Sequence, residues 1–230
     1  MPAAPPLWSI QHPLWAAAAV AGYSPETVRQ LRHKLPALAE LGMPSGRDVY
    51  FDMGETALLA ILAELSRRNR TVEENLPAAL GLMPVAVQIA KGEIGTDGRD
   101  VYAIEATLLV GRVQHYVDDP KELTAAVDMF VREGCVSLFI LNLSNVLRGV
   151  ILGWMIASYG EEKAGKLFRD MLAHYPLEAQ PTLAKEFKEI TERLAAHGKP
   201  AAKATRITDG TLAGEGTSAP ATVAKPKVRA

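Results

Sequence analysis

Residues 25–34 carry six polar side chains of the kinds that can read or hold a nucleic acid: Thr27, Arg29, Gln30, Arg32, His33 and Lys34. Arg and Gln each make paired hydrogen bonds to base edges, and Thr adds a methyl or hydroxyl contact. That chemistry needs one rigid face. Ser24 is a good N-cap, and Pro25 suits the first helical position because its missing N–H has no partner there. Val28, Leu31 and Leu35 recur at helical spacing. The spacing predicts a helix over 25–34 with an apolar inner side and the six polar residues, with Glu26, turned outward.

The elements around that helix recur along the chain. Gly46-Arg47-Asp48-Val49-Tyr50 is repeated letter for letter as Gly98-Arg99-Asp100-Val101-Tyr102. Upstream of each copy stands a Gly-x-x-Pro element, Gly22 to Pro25 and Gly81 to Pro84, and each is followed by a Val and a polar residue. The Gly-x-x-Pro elements are 59 residues apart and the five-residue identities 52 apart. A length change confined to one loop is what a duplicated unit shows. Downstream, apolar periodicity predicts helices over 56–68 and 105–117.

In the first copy, 14–21 reads as a supporting helix and Gly22 as the turn. The 42–46 stretch is turn-rich, and 47–51 reads as the return strand of a hairpin. Asp52 and Glu55 form a capping-box pattern opening a helix whose apolar face is Leu58, Leu59, Ile61, Leu62 and Leu65. Arg67, Arg68 and Arg70 close it, as suits a helix C-terminus. Residues 22–29, Gly46-Arg47, Tyr50, Asp52 and Glu55 together resemble the winged helix-turn-helix of MerR-type regulators and phage excisionases. The resemblance covers about the first third of the chain. It implies a mainly α fold of tandem winged helix-turn-helix units with small β-hairpin wings, followed by a helical C-terminal domain. It also implies sequence-specific binding to double-stranded DNA, as a homodimer. Thr27, Arg29, Gln30, Arg32, His33 and Lys34 would then face the major groove, with Arg47, Arg67 and Arg68 on the backbone. In the weaker second copy the candidates are Gln88, Lys91 and Arg99. The chain departs from the family in two places. Arg32-His33-Lys34-Leu35-Pro36 stands where the family is tyrosine-rich, and no cysteine-bearing metal-sensing tail is present.

The expected organisation is an arm over 1–12, a winged unit over 13–75, a second such unit over 76–119, a helical dimerisation domain over 120–197 and a disordered tail over 198–230. The net charge of −1 does not advertise a nucleic-acid partner. Residues 1–72 hold seven Lys and Arg against six acids, residues 73–198 twelve against eighteen, and residues 199–230 six against two. That distribution suits a local reading face rather than a globally basic protein. The single Cys135 rules out an internal disulfide and a cysteine-rich zinc site. No secretory signal is visible, so a cytoplasmic location is expected.

Residues 135–159 carry one charge, Arg148. The length would span a bilayer. A charge near the centre costs roughly 2.5–3.5 kcal/mol on insertion scales, and Asn142, Ser144 and Asn145 add polar groups. A buried segment is expected instead, either one long helix or a strand over 136–141 and then a helix. Arg148 reads either plainly, as a residue that faces solvent or pairs with an acid at the interface, or as the receiver of a small anionic ligand in the C-terminal part. Amphipathic helices are expected at 120–133, 160–175 and 182–196. His12, His33, His115, His174 and His197 are scattered, and no nucleophile elbow, phosphate loop or dinucleotide fingerprint occurs. Neither an enzyme nor a cofactor is expected. The alternative is a winged-helix adaptor binding protein partners in a phage-like or membrane-associated assembly.

Overall fold

The computed structural model describes residues 6–67, 71–95, 99–109, 111–173, 177, 179–198 and 206–207. After a 3-10 turn at Leu7–Ser9 come β1 (Ile10–Pro13), α1 (Leu14–Ala21), α2 (Pro25–Lys34), α3 (Pro36–Ala39), β2 (Met43–Ser45), β3 (Asp48–Phe51) and α4 (Met53–Ser66). Then follow α5 (Val72–Ala90), β4 (Tyr102–Leu108), β5 (Gly111–Val117), α6 (Pro120–Arg132), β6 (Ser137–Asn142), α7 (Leu143–Tyr159), α8 (Glu161–Leu172), α9 (Gln180–His197) and β7 (Arg206–Ile207). The described chain is mainly helical with two small sheets, ordered β2-β3-β1-β7 and β5-β4-β6.

The local signals of the first third produce the expected element order. The Ser24 side chain accepts from the Thr27 N–H, and Gly22 closes α1 in the left-handed conformation at φ 84°. Asp52 and Glu55 form a reciprocal capping box, as do Thr71 and Glu74. The arm is more than an arm. Its Ile10–Pro13 strand pairs with β3 and also with β7, so Ile10 and His12 are buried.

The second copy is not a second winged unit. Gly81 and Pro84 lie inside one continuous helix, α5. Asn75, Leu76, Ala78, Ala79, Leu82, Val85 and Ala86 are buried along it at helical spacing. That unbroken stripe packs on α4 and outweighs two interior prolines. Both prolines are exposed, so the carbonyls they leave unpaired can take water. Residues 105–117, expected as a helix, form the β4–β5 hairpin, with Tyr102 opposite Val117 and Leu108 opposite Gly111. The identity therefore feeds a short strand in the first case and a seven-residue central strand in the second.

The 135–159 stretch resolves as strand then helix. No helix among the described residues is long and apolar enough to cross a membrane. Instead α7 packs against α1, α4, α5, α8 and α9. One core runs from Leu14 to Leu194. It is shared across the boundaries expected at 75/76 and 119/120, so the N-terminal third has no separate interior. A small satellite core, with Ile104, Ala126 and Phe130, lies under α6. Of the tail expected at 198–230, Gly198 caps α9 and Arg206–Ile207 pairs with β1; the rest lies outside the described residues.

α1 crosses α7 closely at Gly153. A Cβ on Gly153 would stand 2.6 and 2.7 Å from the Val20 methyls. Gly153→Ala gains about 1 kcal/mol of helix propensity, but Val20 is branched, buried and stiff. Overpacking costs about 1–3 kcal/mol, so a net loss of stability is expected in urea denaturation. Adding Val20→Ala should return part of it; a loss that ignores residue 20 would refute this account of the crossing.

Candidate nucleic-acid interface

α2 is held from beneath. Val28, Leu35 and Leu38 are buried in the common core, and Leu31 is partly so. On the other side Glu26, Arg29, Gln30, His33 and Lys34 are exposed. Arg29 Nη1 meets Glu26 Oε2 at 3.3 Å, with both side chains more than half exposed. A pair of that kind contributes little and yields easily to a stronger partner. Thr27 is half-buried, and its hydroxyl bonds Ser24 Oγ at 2.8 Å, so it serves the cap first.

Arg32 does not face outward. Its Nε donates to the Leu38 carbonyl, and its Nη2 donates to the Ala39 and Leu41 carbonyls at 3.0 and 2.8 Å. Its guanidinium stands 5.7 Å from the centre of the Phe51 ring. It therefore satisfies carbonyls at the end of α3 and ties α2 to the strand β3. This corrects its assignment as a base-reading residue. The signal was present in the spacing: Arg32 lies four residues after the buried Val28, on the same helix side.

The β2–β3 hairpin turns at Gly46 and Arg47, with Ser45 opposite Asp48 and Gly46 at φ 64°. Arg47 is exposed at its tip. Glu55 secures the hairpin base: one carboxylate oxygen accepts from Gly42 N–H at 2.7 Å and the other from Asp52 N–H at 2.9 Å. Burial pushes the Glu55 carboxyl up, and those two bonds oppose the shift. Helix face and hairpin tip are thus joined through Arg32, Phe51 and Glu55. The surface they present is mixed, since Glu26, Glu40 and Asp48 are exposed among the cations.

The remaining candidates lie elsewhere. Arg67 caps the end of α4, bonds Glu64 at 2.7 Å and reaches toward Gly22. Arg68 lies outside the described residues. Gln88 is exposed on α5 and Lys91 caps that helix, while Arg99 meets Asp119 at 3.8 Å. These three belong to no second reading helix, because none is formed there.

A further polar cluster gathers where α7 begins. The Asn142 side chain accepts from Asn145 N–H and donates to Asp100 Oδ2 at 2.8 Å. Arg148 donates to Asn145 Oδ1 at 2.7 Å and meets Asp100 Oδ1 at 3.5 Å. Arg148 is therefore paired with an acid, as one form of its plainer reading expects, although the acid is Asp100 of the same chain. The sequence showed Asn142, Asn145 and Arg148 as neighbours, but nothing in it linked them to Asp100 in the second Gly-Arg-Asp-Val-Tyr copy. No family model matches the chain, and no curated protein matches it.

Proposed function

We propose that this protein is a sequence-specific DNA-binding transcriptional regulator. It lays α2 in the major groove of duplex DNA and sets the hairpin tip at Arg47 against the backbone. The observation that carries this is the division of α2. Its inner side is buried or clamped, and its outer side offers Arg29, Gln30, His33 and Lys34 to solvent beside an exposed hairpin. A short helix after a glycine turn, docked on a preceding helix and followed by a β-hairpin, is the arrangement that such a reading helix requires. The proposal includes a homodimer on half-sites about one helical turn apart. The modest local charge implies few phosphate contacts and hence a shallow salt dependence.

The test is selection from a random duplex pool, followed by titration on the selected and on scrambled duplexes at two salt concentrations. Arg29→Ala should cost about 1–3 kcal/mol on the selected duplex alone. Arg47→Ala should weaken both and reduce the salt slope by about one. Equal loss on both duplexes for Arg29→Ala rejects its role. A pool that yields no enriched sequence rejects the function in favour of the protein-binding adaptor.

A further inference from the structure

Strand β5 is an open edge. It ends the sheet ordered β5-β4-β6, and every residue from Gly111 to Tyr116 is exposed. Native edges of that length are blunted by a lysine, a proline or a bulge. β5 has none of these, and its register on β4 runs unbroken from Gly111 to Val117. Its one charge is folded away: Arg112 Nη1 donates to the Glu74 carbonyl on α5 at 3.2 Å. The direction of the backbone follows from β4, where the Thr107 carbonyl accepts from Val136 N–H on the β6 side. Alternate residues of an antiparallel strand turn their backbone groups to opposite sides. Ala106 and Ile104 therefore bond to β5, through Val113 and His115 opposite them. The N–H and C=O groups of Arg112, Gln114 and Tyr116 point out from the edge.

The other edge, β6, is not equivalent. Its Ile140, Leu141 and Asn142 line a cleft of about 620 Å³ beside α1, α4, α7 and α9, so those helices stand in the way of an added strand. Helix α6, by contrast, prepares the β5 side. It leaves β5 after Val117, packs on it, and returns to β6, whose Ser137 lies level with Thr107 and Arg112. Its middle, at Ala126 and Val127, thus lies level with Gln114, the middle of the exposed edge. Ala126 and Phe130 are buried against the sheet. A right-handed crossover from β5 to β6 turns the stripe of Glu122, Ala125, Met129 and Arg132 to the flank above β5. All four are exposed, Met129 at 44%.

We propose that two copies of this chain join β5 to β5 in antiparallel register about Gln114, fusing their three-stranded sheets into one. The same two-fold axis sets α6 antiparallel to its copy. Glu122 then meets the partner's Arg132, and Met129 meets the partner's Ala125, each pair occurring twice. Opposite charges therefore flank a large-on-small contact, and the stripe complements itself in the register that the strand edge sets independently. On the other face Gly81 of α5 stands over Gln114, where a Cβ would lie 2.5 Å from Oε1, so α5 brings no side chain to the axis. This gives the homodimer of the regulator its contact face. Only the use of that dimer on DNA rests on the function proposed above.

The experiment follows the full chain without DNA by sedimentation velocity over a range of concentrations, with the melting temperature of each variant as the check on folding. The parent should dimerise. E122R and R132E each set like charges together twice and should weaken the dimer about tenfold. The double variant E122R/R132E restores opposite charges and should recover most of the parent's affinity, and the two single variants should prefer each other when mixed. Amide hydrogen exchange reads the edge. Arg112, Gln114 and Tyr116 should gain protection in the dimer, whereas Val113 and His115 are protected by β4 at every concentration. The proposal is overturned if the parent stays monomeric, if the double variant dimerises no better than the single ones, or if a dimer forms with no change at those three amides. A dimer that selects no duplex removes the regulator and leaves this interface; a monomer that selects one removes the interface alone.

Discussion

Trp154→Ala should lower the unfolding free energy by about 3–5 kcal/mol, the cost of removing a large aromatic side chain from a packed interior. Trp154 is the largest of the fully buried side chains. It sits in the C-terminal half of α7, the helix against which both the N-terminal and C-terminal helices pack. Its indole N–H donates to the Ile10 carbonyl at 3.3 Å, and its ring meets His12 edge-on at 4.6 Å between centroids. Truncation therefore opens a cavity, removes a donor from a buried carbonyl and strips an aromatic contact at once. The measurement is the urea midpoint at neutral pH, with the slope checked for constancy. A loss below about 1 kcal/mol would mean that this junction collapses freely and does not hold the two ends of the chain together.

The second large effect is on acid stability. His12 is almost wholly buried in β1 and bonds Ser158 Oγ at 2.9 Å. Burial lowers its pKa from 6.5 to about 4. The neutral ring is the form that fits, so below pH 6.5 the unfolded chain takes up a proton that the folded chain refuses until about pH 4. Stability contributed by neutral His12 is complete above pH 6.5 and is lost progressively down to about pH 4, on the order of 3 kcal/mol at 1.36 kcal/mol per pH unit. Glu55 and Glu186 have the opposite sign, because burial raises both carboxyls and the folded state holds their protons longer. Their contribution falls as pH rises past the ordinary carboxyl range. Urea midpoints of the parent and of His12→Gln from pH 4 to 7.5 separate the two. The parent should lose stability toward acid, and the variant should lose much less. Parallel curves would place the acid sensitivity elsewhere.

The first third was legible because its signals are local. Ser24 with Pro25, Asp52 with Glu55, and the glycine turns each specify their own few residues, and the structure forms those elements at those positions. The same local rules misled at Pro84, where a helix-opening proline sits in a continuous apolar stripe whose partner, α4, decides the outcome. They also misled at 105–117. Ile104 and Ala106 became strand residues because β6 supplies Ile140 and Leu138 some thirty residues later, and Val117 lies on the hairpin's return strand opposite Tyr102. Of the candidate interface, the helix face and hairpin tip could be read from spacing, but the inward turn of Arg32 depends on carbonyls of a following loop. The cleft was not readable, since it joins residues from α1, α4, α7 and α9.

The single interior that links α1 and α4 to α7 and α9 has an evolutionary corollary. A free-standing head domain can be shuffled onto new partners by gene fusion, because its surface is finished on every side. Here the core side of α1 and α4 is raw until α7 and α9 arrive. Recombination that exchanged the C-terminal half would have to carry a matching inner wall with it, so this lineage should diversify by substitution along helix faces and not by domain swapping.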